Sequence, residues 1–124
     1  MNDTDIEKVI QGRAFIDGDL RYAEIGISDG RIVTVGKLVS GGDERVDVGT
    51  SGIILPGFID PHVHFRDPGM TNKETFDTGT LSAAYGGVTC VLDMPNTKPP
   101  VTDVQTLRDK KASVRGRTTG CSRR

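Results

Sequence analysis

Gly57-Phe58-Ile59-Asp60-Pro61-His62-Val63-His64-Phe65-Arg66-Asp67-Pro68-Gly69 is the stretch from which the rest of the chain is read. It contains both histidines of the protein, two residues apart. Ile53, Ile54 and Leu55 lead into it, and with Phe58 and Ile59 they form a short apolar run with β-branched members. Such a run predicts a buried strand over residues 53–64. Alternate residues of a strand share a face, so Asp60, His62 and His64 are expected on one side and Val63 and Phe65 on the other. Two neutral imidazoles at the end of a strand suit a transition metal such as zinc. The plainer reading is two polar strand residues satisfied by neighbouring hydrogen bonds, and a His-x-His pair alone does not decide between them. Arg66 shares the histidines' side if the strand geometry persists, and its planar fork suits a carboxylate. Pairing with Asp67 or Asp60 as a structural ion pair is the competing role for the same side chain.

A chain of 124 residues fits one domain, and its 35% hydrophobic content supports a small core. The formal net charge of −1 implies no polyanionic partner, but the charge is uneven. Residues 1–107 carry nine Lys or Arg against sixteen Asp or Glu, whereas residues 108–124 carry seven against Asp109 alone. Such an end can mark a nucleic-acid arm. It contains no aromatic residue to stack on bases, and a short basic run is more often a solvated end. No nucleic-acid partner is therefore expected. Cys90 lies in the apolar run Val88-Thr89-Cys90-Val91-Leu92 and is expected to be a buried small hydrophobe. The acidic start Met1-Asn2-Asp3-Thr4-Asp5 is unlike a signal peptide, and no apolar stretch approaches the ~20 residues of a membrane span. No membrane partner and a cytoplasmic location are expected.

Residues 6–49 read as a small antiparallel β unit. Asp17-Gly18 and Asp29-Gly30 each separate apolar runs, and Asp-Gly at such a place signals a hairpin whose turn needs positive φ. After the histidine strand, Thr71-x-x-Glu74 is a capping-box pattern opening a helix with Phe76, Thr80, Ala83 and Ala84 on one face. Gly86-Gly87 supplies its stop. Val88 to Leu92 reads as a second strand, followed by the loop Asp93-Met94-Pro95-Asn96-Thr97. Thr102-x-x-Gln105 is a second capping box, opening a helix with Val104 and Leu107 inward. Strand, helix, strand, helix is the start of a parallel α/β array, in which sites gather at the C-terminal ends of the strands. His62, His64, Arg66 and Asn96 all fall at that edge.

The stretch 57–69 together with Met94-Pro95-Asn96-Thr97 resembles the dihydroorotases of the amidohydrolase superfamily. The Asp-x-His-x-His core is shared widely there, while Phe65-Arg66 and Pro95-Asn96-Thr97 are similar to dihydroorotases in particular. The resemblance covers residues 6–112. It implies an α/β fold in which a small N-terminal β unit, residues 1–52, precedes the first two βα units of an incomplete (β/α)8 metal-dependent hydrolase barrel, residues 53–112. It implies zinc as cofactor on His62 and His64, and a substrate carboxylate held by Arg66 and Asn96. Asp60 is either a partner orienting a ligating imidazole or a strand-end residue bonding backbone. The implied reaction is the reversible cyclisation of N-carbamoyl-aspartate to dihydroorotate in pyrimidine biosynthesis, with zinc polarising the amide carbonyl and acidifying bound water.

A barrel of this type needs about 250 residues. The resemblance therefore places the remaining metal ligands and the acid–base aspartate beyond residue 124, and no catalytic residue is assigned within the chain. Residues 113–124 do not read as a third barrel strand. They are expected to be a basic tail, out of frame in a truncated and inactive product. Allantoinase and hydantoinase are the nearest alternatives, and a non-catalytic dihydroorotase-like scaffold is another. The expected partners are the small-molecule substrate and either a second copy of the chain or another enzyme of the pathway.

Overall fold

The computed structural model of the chain describes residues 5–118. The chain divides into two compact units, residues 1–56 and 57–124.

The first unit is a five-stranded sheet. Its strands are β1 (Lys8–Ile16), β2 (Asp19–Ser28), β3 (Arg31–Gly36), β4 (Glu44–Asp47) and β5 (Ile53–Ile54), in the order β3-β2-β1-β4 with β5 also on β1. Both Asp-Gly pairs make the turns that their composition predicts. Asp17 and Gly18 have φ of 54° and 89°, and Asp29 and Gly30 have 48° and 66°. They close the β1–β2 and β2–β3 hairpins at Ile16↔Asp19 and Ser28↔Arg31. The sheet is not purely antiparallel, however, because β4 and β5 both run parallel to β1. Val9, Ala14, Ala23 and Ile25 are buried, and Ile16, Ile27 and Ile54 pack on the Ala14–Ala23–Ile25 cluster. Glu24 is also buried, at 6% exposure. Its carboxylate accepts from the Val39 backbone N–H at 2.8 Å and from the Arg45 guanidinium at 2.6 Å. Arg45 in turn donates to the carbonyls of Val39 and Gly41. One half-buried ion pair thus ties the loop after β3 to the sheet, and these hydrogen bonds hold the Glu24 carboxyl below its ordinary pKa.

The second unit contains β6 (Phe58–Val63), α1 (Phe76–Tyr85), β7 (Val88–Asp93) and α2 (Val104–Val114), with β6 and β7 paired in parallel. The single strand expected over residues 53–64 is broken. Ile53 and Ile54 pair with β1 in the first unit, and β6 begins at Phe58. Pro61 explains a further irregularity. It cannot donate to a ladder, and the β6–β7 register shifts between Asp60 and Val63. Nor is β6 buried, since Phe58 and Ile59 are 55% and 66% exposed. Cys90 on β7 is exposed rather than buried.

Both helices are capped, each by a residue other than the one the sequence pattern suggests. Thr75 is the N-cap of α1, in a reciprocal box with Thr78, while Thr71 lies in a turn. Glu74 instead accepts from the Thr75 N–H and the Thr78 hydroxyl. Asp103 caps α2 with Thr106, one residue past the predicted Thr102 and Gln105. In both cases a threonine at the third helical position does the work assigned to Glu or Gln. Gly86 is the C-cap of α1, as expected. Val104 and Leu107 are 64% and 56% exposed, not inward. Phe76 and Gly79 form the buried stripe of α1, and the ring of Phe65 meets Phe76 edge-on at 5.4 Å. A Cβ on Gly79 would collide with the Phe65 ring, so the helix needs glycine there to approach it.

Candidate functional site

The C-terminal ends of β6 and β7 are knitted together beyond the ladder itself. The Met94 N–H donates to the Val63 carbonyl at 2.9 Å, and the Phe65 N–H donates to Asp93 Oδ1 at 3.0 Å. The loops that follow are joined too, by Lys98 N–H to Pro68 O at 3.1 Å. Gly69, at φ 91°, sits so close to the Lys98 carbonyl that no Cβ would fit. These contacts fix residues 64–69 against residues 93–98.

The result is a cluster of His62, His64 and Asn96. His62 Nε2 and His64 Nε2 are 3.2 Å apart, and His64 Nδ1 is 2.8 Å from Asn96 Oδ1. The imidazoles converge despite the irregular register. Two nitrogens bound to one tetrahedral zinc at about 2.0–2.1 Å would be about 3.3 Å apart. The pair therefore fits two corners of such an ion. Among the described residues no group of three or more His, Cys, Asp or Glu side chains is placed to hold a metal.

Asp60 Oδ1 accepts from the His62 backbone N–H at 3.1 Å. Arg66 is not placed by strand alternation. The strand ends at Val63, and Arg66 turns the chain with φ 62°, in the left-handed region that few side chains adopt. Neither predicted partner takes its guanidinium. Asp67 is buried, at 3% exposure, and is held by Arg117 at 2.7 Å and by the Phe76 N–H at 3.4 Å. Among the described residues the Arg66 side chain has no ion pair or hydrogen bond. A cleft of about 300 Å³ bordered by β6 and α1 is lined by Asp60, Val63, His64, Phe65 and Glu74, among others. His62, Arg66 and Asn96 do not line it.

Two supports escaped the sequence reading. Lys110 on α2 reaches Asp93 at 2.6 Å and the Met94 carbonyl at 3.1 Å. Arg117 bonds both Asp67 and Asp77, and these carboxylates raise its pKa. The expected basic tail thus begins inside α2, with Ser113 and Val114 as its last residues. Residues 119–124 of that tail lie outside the described residues. The only signal for either pair was the charge itself.

The sequence model of the amidohydrolase family matches residues 53–121, more than half of the chain. The chain belongs to the amidohydrolase family. It is 47% identical over 103 residues to the dihydroorotase of Pyrococcus abyssi, a match covering 83% of this chain and 26% of that protein. It is 48% identical over 98 residues to the dihydroorotase of Archaeoglobus fulgidus, covering 79% and 23%. Among solved structures, the L-hydantoinase (dihydropyrimidinase) of Arthrobacter aurescens matches with a TM-score of 0.79 and 28% identity, over 86% of this chain and 24% of that one. The dihydropyrimidinase of Brevibacillus agri NCHU1002 matches with a TM-score of 0.74 and 30% identity, over 90% and 25%. This amidohydrolase chain spans about a quarter of the length of the curated relatives it matches. No described helix is long and apolar enough to cross a membrane.

Proposed function

We propose that the chain is the N-terminal portion of a dihydroorotase-type cyclic amide hydrolase, with residues 57–118 forming the first two βα units of a (β/α)8 barrel. The observation that carries this reading is the convergence of His62, His64 and Asn96 at the ends of two parallel strands, within a sequence 47% identical to a dihydroorotase. The substrate class is N-carbamoyl-aspartate and dihydroorotate, as in pyrimidine biosynthesis.

In this reading His62 and His64 supply two ligands to zinc. Held there, zinc would supply Lewis-acid polarisation of the amide carbonyl and a lowered pKa for bound water. The guanidinium of Arg66 holds the substrate carboxylate by a bidentate pair, and the Asn96 amide N–H groups add donors to it. Support for Arg66 comes from its freedom from Asp60 and Asp67, whose carboxylates are engaged elsewhere. Asp60 shapes the turn into His62 and carries no step. The acid–base group comes from outside these residues.

A hydantoinase-type activity is the second reading, favoured by the structural similarity to the Arthrobacter aurescens enzyme. The test is a chimaera in which residues 1–118 replace the matching part of the Pyrococcus abyssi dihydroorotase. Loaded with zinc, it is assayed on dihydroorotate, hydantoin and allantoin. Preference for dihydroorotate is expected, and faster turnover of hydantoin or allantoin overturns the choice.

A further inference from the structure

We infer that Asn96 is a positioning residue for His64, fixing the imidazole tautomer that leaves Nε2 free to bind a metal. This rests on the reading of His62 and His64 as ligands. A neutral imidazole has one N–H and one lone pair, and the hydrogen bond at one nitrogen decides which the other carries. His64 Nδ1 lies 2.8 Å from Asn96 Oδ1, an acceptor only. The proton is therefore on Nδ1, and the Nε2 lone pair is exposed. That lone pair faces His62 Nε2 at 3.2 Å, the spacing of two corners of one tetrahedral zinc.

The two ligands are held unequally: Asn96 fixes the tautomer of His64, while Nδ1 of His62 has no partner among the described residues. Asn96 is itself well anchored. The neighbouring Thr97 is buried at 5% exposure and donates to the Pro99 carbonyl at 2.9 Å, and Met94 bonds Val63. Because Oδ1 serves His64, the Asn96 NH2 group keeps both donors for a carboxylate, so the two roles do not compete. An amide turned the other way would donate to Nδ1, move the proton to Nε2 and block the metal.

The experiment uses the full chain with 15N-labelled histidine, metal-free at about pH 8, and reads the tautomer from two-bond 1H–15N correlations. His64 should show a protonated Nδ1 and an unprotonated Nε2. Zinc affinity is then measured by competition with a chromogenic chelator. Asn96→Ala should release the tautomer toward Nε2–H and weaken zinc about 10–100-fold, the usual effect of losing a partner that orients a ligand. Asn96→Asp keeps the acceptor, so the tautomer should stay at Nδ1–H and zinc should bind within a few-fold of the parent. An Nε2–H tautomer in the parent overturns the inference, as does an Asn96→Ala chain with unchanged tautomer and affinity. If Asn96→Ala does not fold, the parent and Asn96→Asp spectra decide alone: Nδ1–H in both supports the inference, and Nε2–H in either overturns it. A parent that binds no zinc removes the ligand reading of the histidines, while the spectra still decide what Asn96 does.

Discussion

Lys110 Nζ lies 2.6 Å from Asp93 Oδ2, with the two side chains only 10% and 12% exposed. The pair joins α2 to the last residue of β7, the strand end from which the loop bearing Asn96 departs. Asp93 also accepts from the Phe65 N–H at 3.0 Å, next to His64. One carboxylate therefore holds both strand ends, and one ammonium neutralises it.

Lys110→Met should consequently destabilise the second unit by about 3–5 kcal/mol, since it leaves a carboxylate nearly buried without its countercharge. Adding Asp93→Asn should recover part of that loss. The measurement is urea unfolding of the single and double variants. A single variant as stable as the parent would show that water reaches Asp93 and that the pair contributes little.

Local signals survived into the structure where they depend on a few adjacent residues. The Asp17-Gly18 and Asp29-Gly30 turns need only positive φ, and both have it. The stop at Gly86 is equally local. What failed depends on distant partners. The apolar run at 53–59 reads as one strand, yet β1 captures Ile53 and Ile54 while β7 pairs with residues from Phe58 onward. The exposure of Ile59 and Cys90 could not be read from an apolar run, because burial requires neighbours on both faces. Arg117 was invisible as a partner of Asp67 because fifty residues separate them. At the site, the spacing of His62 and His64 pointed to convergence, but the hydrogen bond between His64 and Asn96 follows from strand pairing that no short motif contains.

The Glu24 carboxyl has its pKa lowered by the Val39 N–H and by Arg45. Its contribution is fully present above the ordinary carboxylate pKa and is lost as pH falls through the lowered value. The first unit should therefore weaken on acidification, and Glu24→Gln should flatten the slope. Tyr22 and Tyr85 are the two tyrosines, so in a Tyr85→Phe background the fluorescence of Tyr22 reports the first unit. A Glu24→Gln chain with an undiminished acid slope would assign the effect to other carboxyls, Asp47 first, whose pKa Gln11 and the Gly49 N–H also lower.

Arg66→Lys in the chimaera should raise KM for dihydroorotate with a smaller change in kcat. An ammonium cannot form the paired N–H bonds of the guanidinium fork, and loss of one bond to a charged group costs about 1.5–3 kcal/mol. The expected fall in kcat/KM is roughly tenfold to a hundredfold. Unchanged kinetic constants would remove Arg66 from the substrate.

The 124-residue chain by itself should bind zinc weakly and hydrolyse no dihydroorotate at a measurable rate. Catalytic zinc uses three protein ligands and an open position, and the described residues offer two histidines. Without a third ligand the ion lacks the fixed geometry that acidifies water. A well-placed acid–base group typically contributes ~10²–10⁴-fold, and none is assigned here. The sheet of β6 and β7 also leaves large apolar side chains in solvent, with Ile59 at 66%, Leu92 at 50% and Tyr85 on α1 at 88% exposure. Such surface favours association, so light scattering after gel filtration should find oligomers or aggregates. Zinc stoichiometry and dihydroorotate hydrolysis are measured on the same sample against a metal-free control. A soluble monomer with one tightly held zinc and turnover near ~1 s⁻¹, the low end of ordinary enzymes, would mean that two histidines and two parallel strands suffice for a working site.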